Sequence, residues 1–392
     1  MSSTALPEPA GLARRSGLTA VTDIPSGRDD ITPGSDGVGT SIVRPANTGK
    51  DVVGRPNNGQ VKRRPKPRTK KEEDPSLIML VTPVLLVFFA YVALRVGAFV
   101  AKPKFNWAKT KYVYAFGDSY TFVQGTKGHA NFSFIGDMEN LLLSKHDLLS
   151  DEIVPHNTSS NGANWIEFLT GCFEGKPSNC HPHQLWNFAF AGADIDAALL
   201  PLHHTFTTPL VDQVRQWATI ASNVLPHPPA ETITFWWIGI NDTGDTVTNA
   251  TITDFNAFWE KEMESYFKAV ESSVSRGLTG THFFINVPAE HRNPNFNAPI
   301  IQTHIIEFNT ILDQYINAFQ QRHKEMNVFT FDSYGFFNEV LDRGEEFGFE
   351  DITGFCQCSD PKFFWFNSGH PTERVHKLIA EAIEKQLIQA SR

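Results

Sequence analysis

The sequence predicts a three-layer α/β sandwich with a mostly parallel central sheet. Short apolar runs rich in aromatic and β-branched residues have the composition of strands buried on both faces. There are five such runs, at residues 112–116, 185–189, 232–238, 281–287 and 327–331. Apolar residues at helical spacing occur over 253–274, 301–322 and 375–387. This alternation of strands and helices is typical of a parallel sheet covered by helices on both faces.

Three regions are expected along the 392 residues. Residues 1–75 are rich in Gly, Pro, Ser, Asp and Thr without apolar periodicity, which predicts a disordered tail. Residues 76–101 contain an uncharged apolar run, 77–94, of 18 residues. That length predicts a transmembrane signal-anchor helix, the alternative being a buried helix of a soluble domain. Residues 108–392 are expected to form the folded domain.

Charge predicts the orientation of this span. Residues 61–71 carry seven basic residues, more than the four lysines that follow the span. Excess positive charge stays in the cytosol, so we expect a single-pass protein with a cytosolic N-terminus. The folded domain would then lie in the secretory lumen or outside the cell. Four glycosylation sequons, all after the span, agree with this and predict a glycoprotein: Asn131, Asn157, Asn241 and Asn249.

Charge and cysteine content narrow the possible partners. The net charge is -9 and the folded region has no basic block, which argues against nucleic-acid binding. The basic segment before the apolar run could otherwise be a nuclear signal. Among the four cysteines, a Cys172–Cys180 loop is the simplest disulfide, since a bridge between Cys356 and Cys358 would be strained. The alternative is a metal site that includes His181 or His183.

Four residues that could supply a catalytic group or a hydrogen-bond donor follow predicted strands or precede a predicted helix. Ser119 lies in Gly117-Asp118-Ser119, where a following helix N-terminus would stabilise an oxyanion. Gly192 offers a backbone N–H, Asn241 a side-chain amide, and His370 a general base. Taken singly, each has a structural explanation: a helix cap at Asp118, Ser119 or Asp194, a turn at Asn241, or a structural histidine. Because the carboxyl ends of parallel strands share one edge of a sheet, the four are expected to meet there.

In this order, the motifs resemble those of the SGNH hydrolase superfamily, also called GDSL esterases and lipases, over residues 110–390. The segments 114–121, 161–165, 187–193 and 236–242 look most similar to fungal acetylesterases of carbohydrate esterase family 16. The resemblance implies that Ser119 is the nucleophile and His370 the base. It also implies that Ser119, Gly192 and Asn241 form the oxyanion hole.

One residue departs from the family pattern. The last motif usually has an aspartate three residues before the histidine, and here Asn367 occupies that position. An asparagine that holds the wrong imidazole tautomer costs a serine protease about 10⁴-fold in rate. Alternatively, Asn367 orients His370 through its amide oxygen, a backbone carbonyl does so, or Asp360 substitutes for the missing acid. The role of Asn367 is therefore open at this stage.

The resemblance implies a serine ester hydrolase that removes acetyl groups from hemicellulose-type carbohydrates and needs no metal or organic cofactor. A small-molecule or oligosaccharide ester is the expected substrate, with the membrane as a second partner through the N-terminal helix. Alternatives are a lipid or other carboxylic ester hydrolase, or a catalytically weak carbohydrate-binding protein. Four tryptophans are candidates for a sugar platform, although such residues are more often core: Trp165, Trp236, Trp237 and Trp365.

Overall fold

The computed structural model describes residues 102, 104–136, 144–295 and 298–392. The predicted tail, 1–75, and the predicted transmembrane helix, 76–101, lie outside these residues. Within the described ranges, no helix combines the length and apolar character needed to cross a bilayer. The tail and the span therefore stay predictions from the sequence.

A five-stranded parallel sheet forms the centre of the described structure, which confirms the predicted α/β architecture. Its strands run in the order β4-β1-β5-β6-β7, and every neighbouring pair is parallel. Two small two-stranded sheets lie apart from it, β2 with β3 and β8 with β9. The strands are β1 Tyr112–Gly117, β2 Lys127–Gly128, β3 Ile135–Gly136, β4 Gln184–Asn187, β5 Thr232–Trp237, β6 Thr281–Ile285, β7 Asn327–Phe331, β8 Asp351–Phe355 and β9 Phe363–Trp365.

Eight α-helices occur in the described residues. They are α1 Lys145–Ser150, α2 Trp165–Thr170, α3 Leu210–Thr219, α4 Ile240–Asp245, α5 Phe255–Ser275, α6 Pro299–Arg322, α7 Ser333–Asp342 and α8 Glu373–Ala390. The last helix starts at Glu373 with Thr372 as its N-cap.

The two faces of the sheet pack on different helices because side chains alternate along each strand. On one face, the ring of Trp236 lies 6.3 Å from that of Tyr266 in α5. On the other face, the ring of Trp237 lies 5.6 Å from that of Trp165 in α2. Helix α2 in turn contacts α8. Helices therefore cover both faces of the sheet, as the three-layer prediction requires.

Strand β4 ends two residues before its predicted end, and polar bonding explains why. Asn187 donates its side-chain amide to the carbonyl of Thr121 at 2.6 Å and accepts from the N–H of Ala189 at 2.9 Å. Its side chain thus bonds the backbone of the turn that follows β1 and of the segment that leaves β4. The regular strand ends here although residues 188 and 189 are apolar, and the chain keeps single bonds to β1 through the N–H groups of Phe188 and Phe190.

Two disulfides are present in the described residues, one of them unexpected. Cys172 and Cys180 are bonded, as the spacing predicts. Cys356 and Cys358 are also bonded to each other, so the expectation that this bridge would be too strained is wrong. Their Cα atoms lie 5.1 Å apart, a separation within the usual range for a disulfide. With all four sulfurs paired, the alternative of a cysteine metal site is excluded.

Close packing at the end of β1 gives a stability prediction. A Cβ atom on Gly117 would lie 2.2 Å from the backbone oxygen of Trp237 in β5, too close for any side chain. Gly117→Ala should therefore lower the free energy of unfolding by about 1–3 kcal/mol, the usual cost of overpacking, as measured by urea denaturation.

Gly369→Ala is the matched control, because no atom of the described residues lies within 4 Å of its added Cβ atom. Its free energy of unfolding should change by no more than about 0.5 kcal/mol. Equal losses in the two variants would contradict this account of Gly117.

Candidate active site

Ser119 follows β1 in a hydrogen-bonded turn, not at the start of the helix that the sequence suggested. Asp118 organises this turn: its Oδ1 accepts from the N–H of Tyr120 at 2.9 Å. Its carbonyl accepts from Thr121 and Phe122, both at 3.0 Å. No described residue accepts a hydrogen bond from the N–H of Ser119. The turn therefore leaves this donor free beside the hydroxyl.

The structure brings Ser119 and His370 together, although 251 residues separate them. His370 Nε2 lies 2.8 Å from Ser119 Oγ. A tight turn places the histidine, since the N–H of Phe366 donates to the carbonyl of His370 at 2.8 Å. Ser119 is 8% exposed, and His370 is partly exposed as a whole residue. A small molecule can thus reach a hydroxyl that is otherwise enclosed.

Asn367 orients the imidazole through its amide oxygen. That oxygen accepts from the backbone N–H groups of Gly369 and His370, at 3.0 and 2.8 Å. Two N–H donors identify this atom as oxygen and exclude the flipped amide. His370 Nδ1 lies 3.0 Å from the same oxygen and must donate to it. The proton is therefore on Nδ1, which leaves Nε2 free to accept from the serine hydroxyl.

Residues that sequence reasoning missed also support the turn that carries His370. The Tyr120 hydroxyl lies 2.8 Å from the carbonyl of Gly369 and hydrogen-bonds Glu290. Asn293 donates to the other oxygen of Glu290 at 2.6 Å. Burial raises the pKa of Glu290 to about 7. Tyr120 could have been suspected from its place beside Ser119, but no sequence signal marks Glu290.

Gly192 and Asn241 lie next to each other near the carboxyl ends of β4 and β5. The Asn241 side-chain amide donates one N–H to the carbonyl of Ala193 at 2.9 Å, which leaves its second N–H available. Gly192 has a φ of 77°, in the left-handed region that favours glycine. Within the described residues, its backbone N–H has no acceptor. Two further donors are thus available near this edge of the sheet.

The environment of His370 favours the neutral form of its imidazole. Its removal from water lowers its pKa from 6.5 to about 4. No described carboxylate opposes this effect on the ring, because Asn367 takes the place of the usual acid. Asp360 does not substitute for it: its side chain is exposed and accepts from the N–H of Lys362 at 3.0 Å. A neutral imidazole is the form that can accept a proton from a hydroxyl.

The four candidate platform tryptophans belong to the core, since Trp165, Trp236, Trp237 and Trp365 are all 0% exposed. A different aromatic group borders Gly192, and we call its three residues, His129, Phe132 and Phe206, the aromatic cluster. The rings of His129 and Phe206 stack at 3.8 Å, and Phe132 packs edge-on against Phe206 at 5.1 Å. The carbonyl of Phe132 accepts from the N–H of Ala191 at 2.8 Å.

The sequence profile of the GDSL-like lipase/acylhydrolase family matches residues 113–383. The chain belongs to this family. The predicted resemblance is thereby confirmed, and this GDSL hydrolase is a carboxylic ester hydrolase. The match covers the segments that carry Ser119, Gly192, Asn241 and His370.

Relatives of this GDSL hydrolase include an acetylesterase from Thermothelomyces thermophilus, which is 28% identical over 303 residues. The alignment covers 73% of this chain and 92% of that protein. Among solved structures, the acetylxylan esterase Axe2 from Geobacillus stearothermophilus has a TM-score of 0.37 at 14% identity, covering 73% of this chain and 96% of its own. A carbohydrate esterase family 3 structure from Talaromyces cellulolyticus has a TM-score of 0.34 at 14% identity, covering 71% and 97%.

The asparagine in this GDSL hydrolase gives a prediction about the imidazole. Asn367→Asp adds a negative charge about 3 Å from His370 Nδ1 while keeping the acceptor oxygen. An adjacent opposite charge favours the imidazolium, so the pKa of His370 should rise by about one to three units. NMR titration of the histidine ring measures this change.

The matched control is Asn338→Asp, because Asn338 lies on α7 and bonds Arg292 and Tyr334, away from the histidine. It should leave the titration of His370 unchanged. An unmoved midpoint in Asn367→Asp would show that residue 367 does not face the ring.

Proposed function

We propose that the chain is a serine acetylesterase that removes acetyl groups from carbohydrates through an acyl-enzyme on Ser119. The observation that carries this proposal is the 2.8 Å contact between Ser119 Oγ and His370 Nε2. A hydroxyl bonded to a base, which a third group orients, is the arrangement that activates a serine nucleophile. The acetyl preference is supported by the 28% identical acetylesterase, and the carbohydrate preference by the resemblance to family 16.

In the proposed reaction, His370 Nε2 takes the hydroxyl proton while Ser119 Oγ attacks the ester carbonyl. The carbonyl oxygen becomes an oxyanion, stabilised by the free N–H groups of Ser119 and Gly192 and by the second amide N–H of Asn241. The oxyanion collapses, the bond to the alcohol breaks, and the alcohol leaves with the proton from His370. Water activated by the same imidazole then hydrolyses the acyl-enzyme, which releases the acid and restores Ser119.

The tautomer supports an active enzyme over a catalytically weak binding protein. The loss expected from an asparagine arises when its amide holds the wrong tautomer. Here the backbone N–H groups of Gly369 and His370 fix the amide oxygen toward Nδ1. What Asn367 lacks is the negative charge that would stabilise the imidazolium. We therefore expect a reduced rate, with the proton-transfer geometry intact.

The aromatic cluster favours a substrate whose alcohol portion is a ring over a substrate with a long acyl chain. Phe132 and Phe206 are half-buried, so part of each ring faces solvent close to Gly192. Exposed aromatic surface beside a few polar groups is typical of small-ligand sites. A sugar ring can pack its C–H face there while its acetyl group reaches Ser119. A lipid ester hydrolase is the alternative, and a substrate comparison separates the two.

Replacing the nucleophile tests the mechanism. Ser119→Ala should lower kcat/KM for p-nitrophenyl acetate by at least about 10³-fold and abolish covalent labelling by a fluorophosphonate. Ser368→Ala is the control, because this serine lies in the His370 turn and, among the described residues, forms a hydrogen bond only through its backbone carbonyl, which accepts from the N–H of Asn295. Its activity should stay within about twofold of wild type. An inactive, unlabelled wild-type protein would favour the binding-protein alternative.

Truncating the aromatic cluster tests the substrate class. Phe206→Ala should raise KM for an acetylated xylo-oligosaccharide about tenfold, the effect of roughly 1.4 kcal/mol of lost contact, with kcat nearly unchanged. Hydrolysis of ethyl acetate, which has no ring, should be unaffected. Phe173→Ala, at a 38% exposed phenylalanine that the aromatic cluster does not include, serves as the control. Faster turnover of trioctanoin than of the sugar ester would favour the lipid alternative.

We also propose that the folded domain lies on the luminal or extracellular side, anchored by the apolar run at 77–94. Two disulfides in the described structure support an oxidising compartment. In sealed microsomes, protease added from outside should remove only the basic N-terminal segment and leave a protected fragment carrying Ser119. Digestion of that fragment in the absence of detergent would show that the folded domain lies on the cytosolic side instead.

A further inference from the structure

A second group of chemically active side chains lies beside Gly192, and the proposed reaction does not use it. Asp194, His203 and Asp245 each offer one ligand atom, and these atoms all lie within 4.8 Å of one another. They come from three separate segments: the turn after Gly192, the loop before α3, and the end of α4. His203 Nε2 and Asp245 Oδ2 are 2.5 Å apart.

The buried side chain of Asp194 is a second observation that points to a bound cation. Its side chain is 2% exposed, and neither carboxylate oxygen has a hydrogen-bond partner in the described structure. It therefore does not act as the helix cap that the sequence suggested. A buried carboxylate without hydrogen bonds or a counter-charge is costly, so such groups are usually paired or coordinate a metal.

Several other carboxyl groups surround Asp194, and a bound cation would stabilise their ionised forms. Asp242, Asp245 and Asp118 all act electrostatically on Asp194. Glu262 adds a further buried carboxyl group within range of Asp194. His203 is the single basic group among the three candidate ligands. Two ligand carboxylates would balance the charge of one divalent ion.

We infer that Asp194, His203 and Asp245 bind one divalent transition-metal ion, with Zn²⁺ as the best fit. Zinc accepts imidazole and carboxylate ligands at about 2.0–2.2 Å in tetrahedral geometry, which places two ligand atoms about 3.4 Å apart. The ligand atoms lie within 4.8 Å of one another, so the widest pair would close by at most about 1.4 Å, and His203 Nε2 and Asp245 Oδ2 would move apart by about 0.9 Å. Mg²⁺ and Ca²⁺ prefer more oxygen ligands than this group supplies. His203 and Asp245 are partly exposed, with side-chain exposures of 30% and 37%, which gives the ion a route in and a water ligand.

The ion would position the oxyanion donors without entering the reaction. Asp194 lies two residues after Gly192, and Asp245 shares α4 with Asn241. The His203 ring packs against Gly192: a Cβ atom on Gly192 would lie 3.2 Å from His203 Nδ1. One ion would therefore tie together the segments that carry two of the three proposed donors. The inference does not depend on the proposed hydrolysis, because binding can be measured in the Ser119→Ala variant.

The test uses the full-length protein, stripped with a chelator and titrated with Zn²⁺, Mn²⁺, Mg²⁺ or Ca²⁺ by calorimetry and thermal unfolding. One Zn²⁺ should bind and raise Tm reversibly, more tightly than Mn²⁺, as expected for an N,O site. Even the loss of a residue that only hydrogen-bonds a metal ligand lowers metal affinity by about 10- to 100-fold. Asp194→Asn and His203→Ala should therefore weaken binding by at least about tenfold.

Neighbouring residues supply matched controls. Asp196→Asn removes a nearby charge, and His204→Ala removes the adjacent histidine, so both should keep Zn²⁺ affinity within about twofold. His203→Ala changes a partly exposed side chain, so it keeps the test valid if Asp194→Asn does not fold. Absence of a Zn²⁺-dependent Tm shift in the wild-type protein would overturn the inference. So would unchanged affinity in His203→Ala, or an equal loss in Asp196→Asn, which would indicate diffuse charge attraction.

Discussion

The hydrogen bonds accepted by one amide oxygen determine the chemistry of the site. Asn367 Oδ1 receives the backbone N–H groups of Gly369 and His370 and, on its third side, His370 Nδ1. Because two of these donors cannot reverse their roles, the third must donate as well. The proton of the neutral imidazole is thus confined to Nδ1, and the unprotonated Nε2 faces Ser119. A backbone turn therefore provides the tautomer control that a carboxylate provides in other serine hydrolases.

Much of the fold could be predicted from the sequence, because buried parallel strands leave a strong apolar signal. Residues 327–331 match β7 in full, and β5 and β6 differ from prediction only at their C-terminal ends. The errors arise where a polar group overrides the local pattern. Asn187 ends β4 by bonding two backbone segments, and Asp118 folds the residues after β1 into a turn. Such bonds join residues that are distant in sequence or depend on backbone geometry, which hydropathy does not report.

The site was less predictable than the fold. Motif order was enough to select Ser119 and His370, because both follow or precede elements whose ends meet at one sheet edge. It could not identify Glu290, whose contact with Tyr120 spans 170 residues. Nor could it separate core tryptophans from exposed aromatic rings. Trp236 and Trp237 face opposite sides of the sheet, and both are buried because helices cover both faces.

The absence of a negative charge at residue 367 affects the neutral and the protonated imidazole of His370 in opposite ways. A carboxylate there would stabilise the imidazolium and speed proton transfer from Ser119, but it would also raise the pKa of His370. With Asn367, burial alone sets that pKa at about 4, so the imidazole stays neutral well into the acidic range. A neutral ring can still accept a proton at a pH where an Asp–His pair would already be protonated, whereas an imidazolium beside Asn367 lacks the stabilising charge of a carboxylate. The geometry that either residue would need is present, because the proton lies on Nδ1 and Nε2 lies 2.8 Å from Ser119 Oγ.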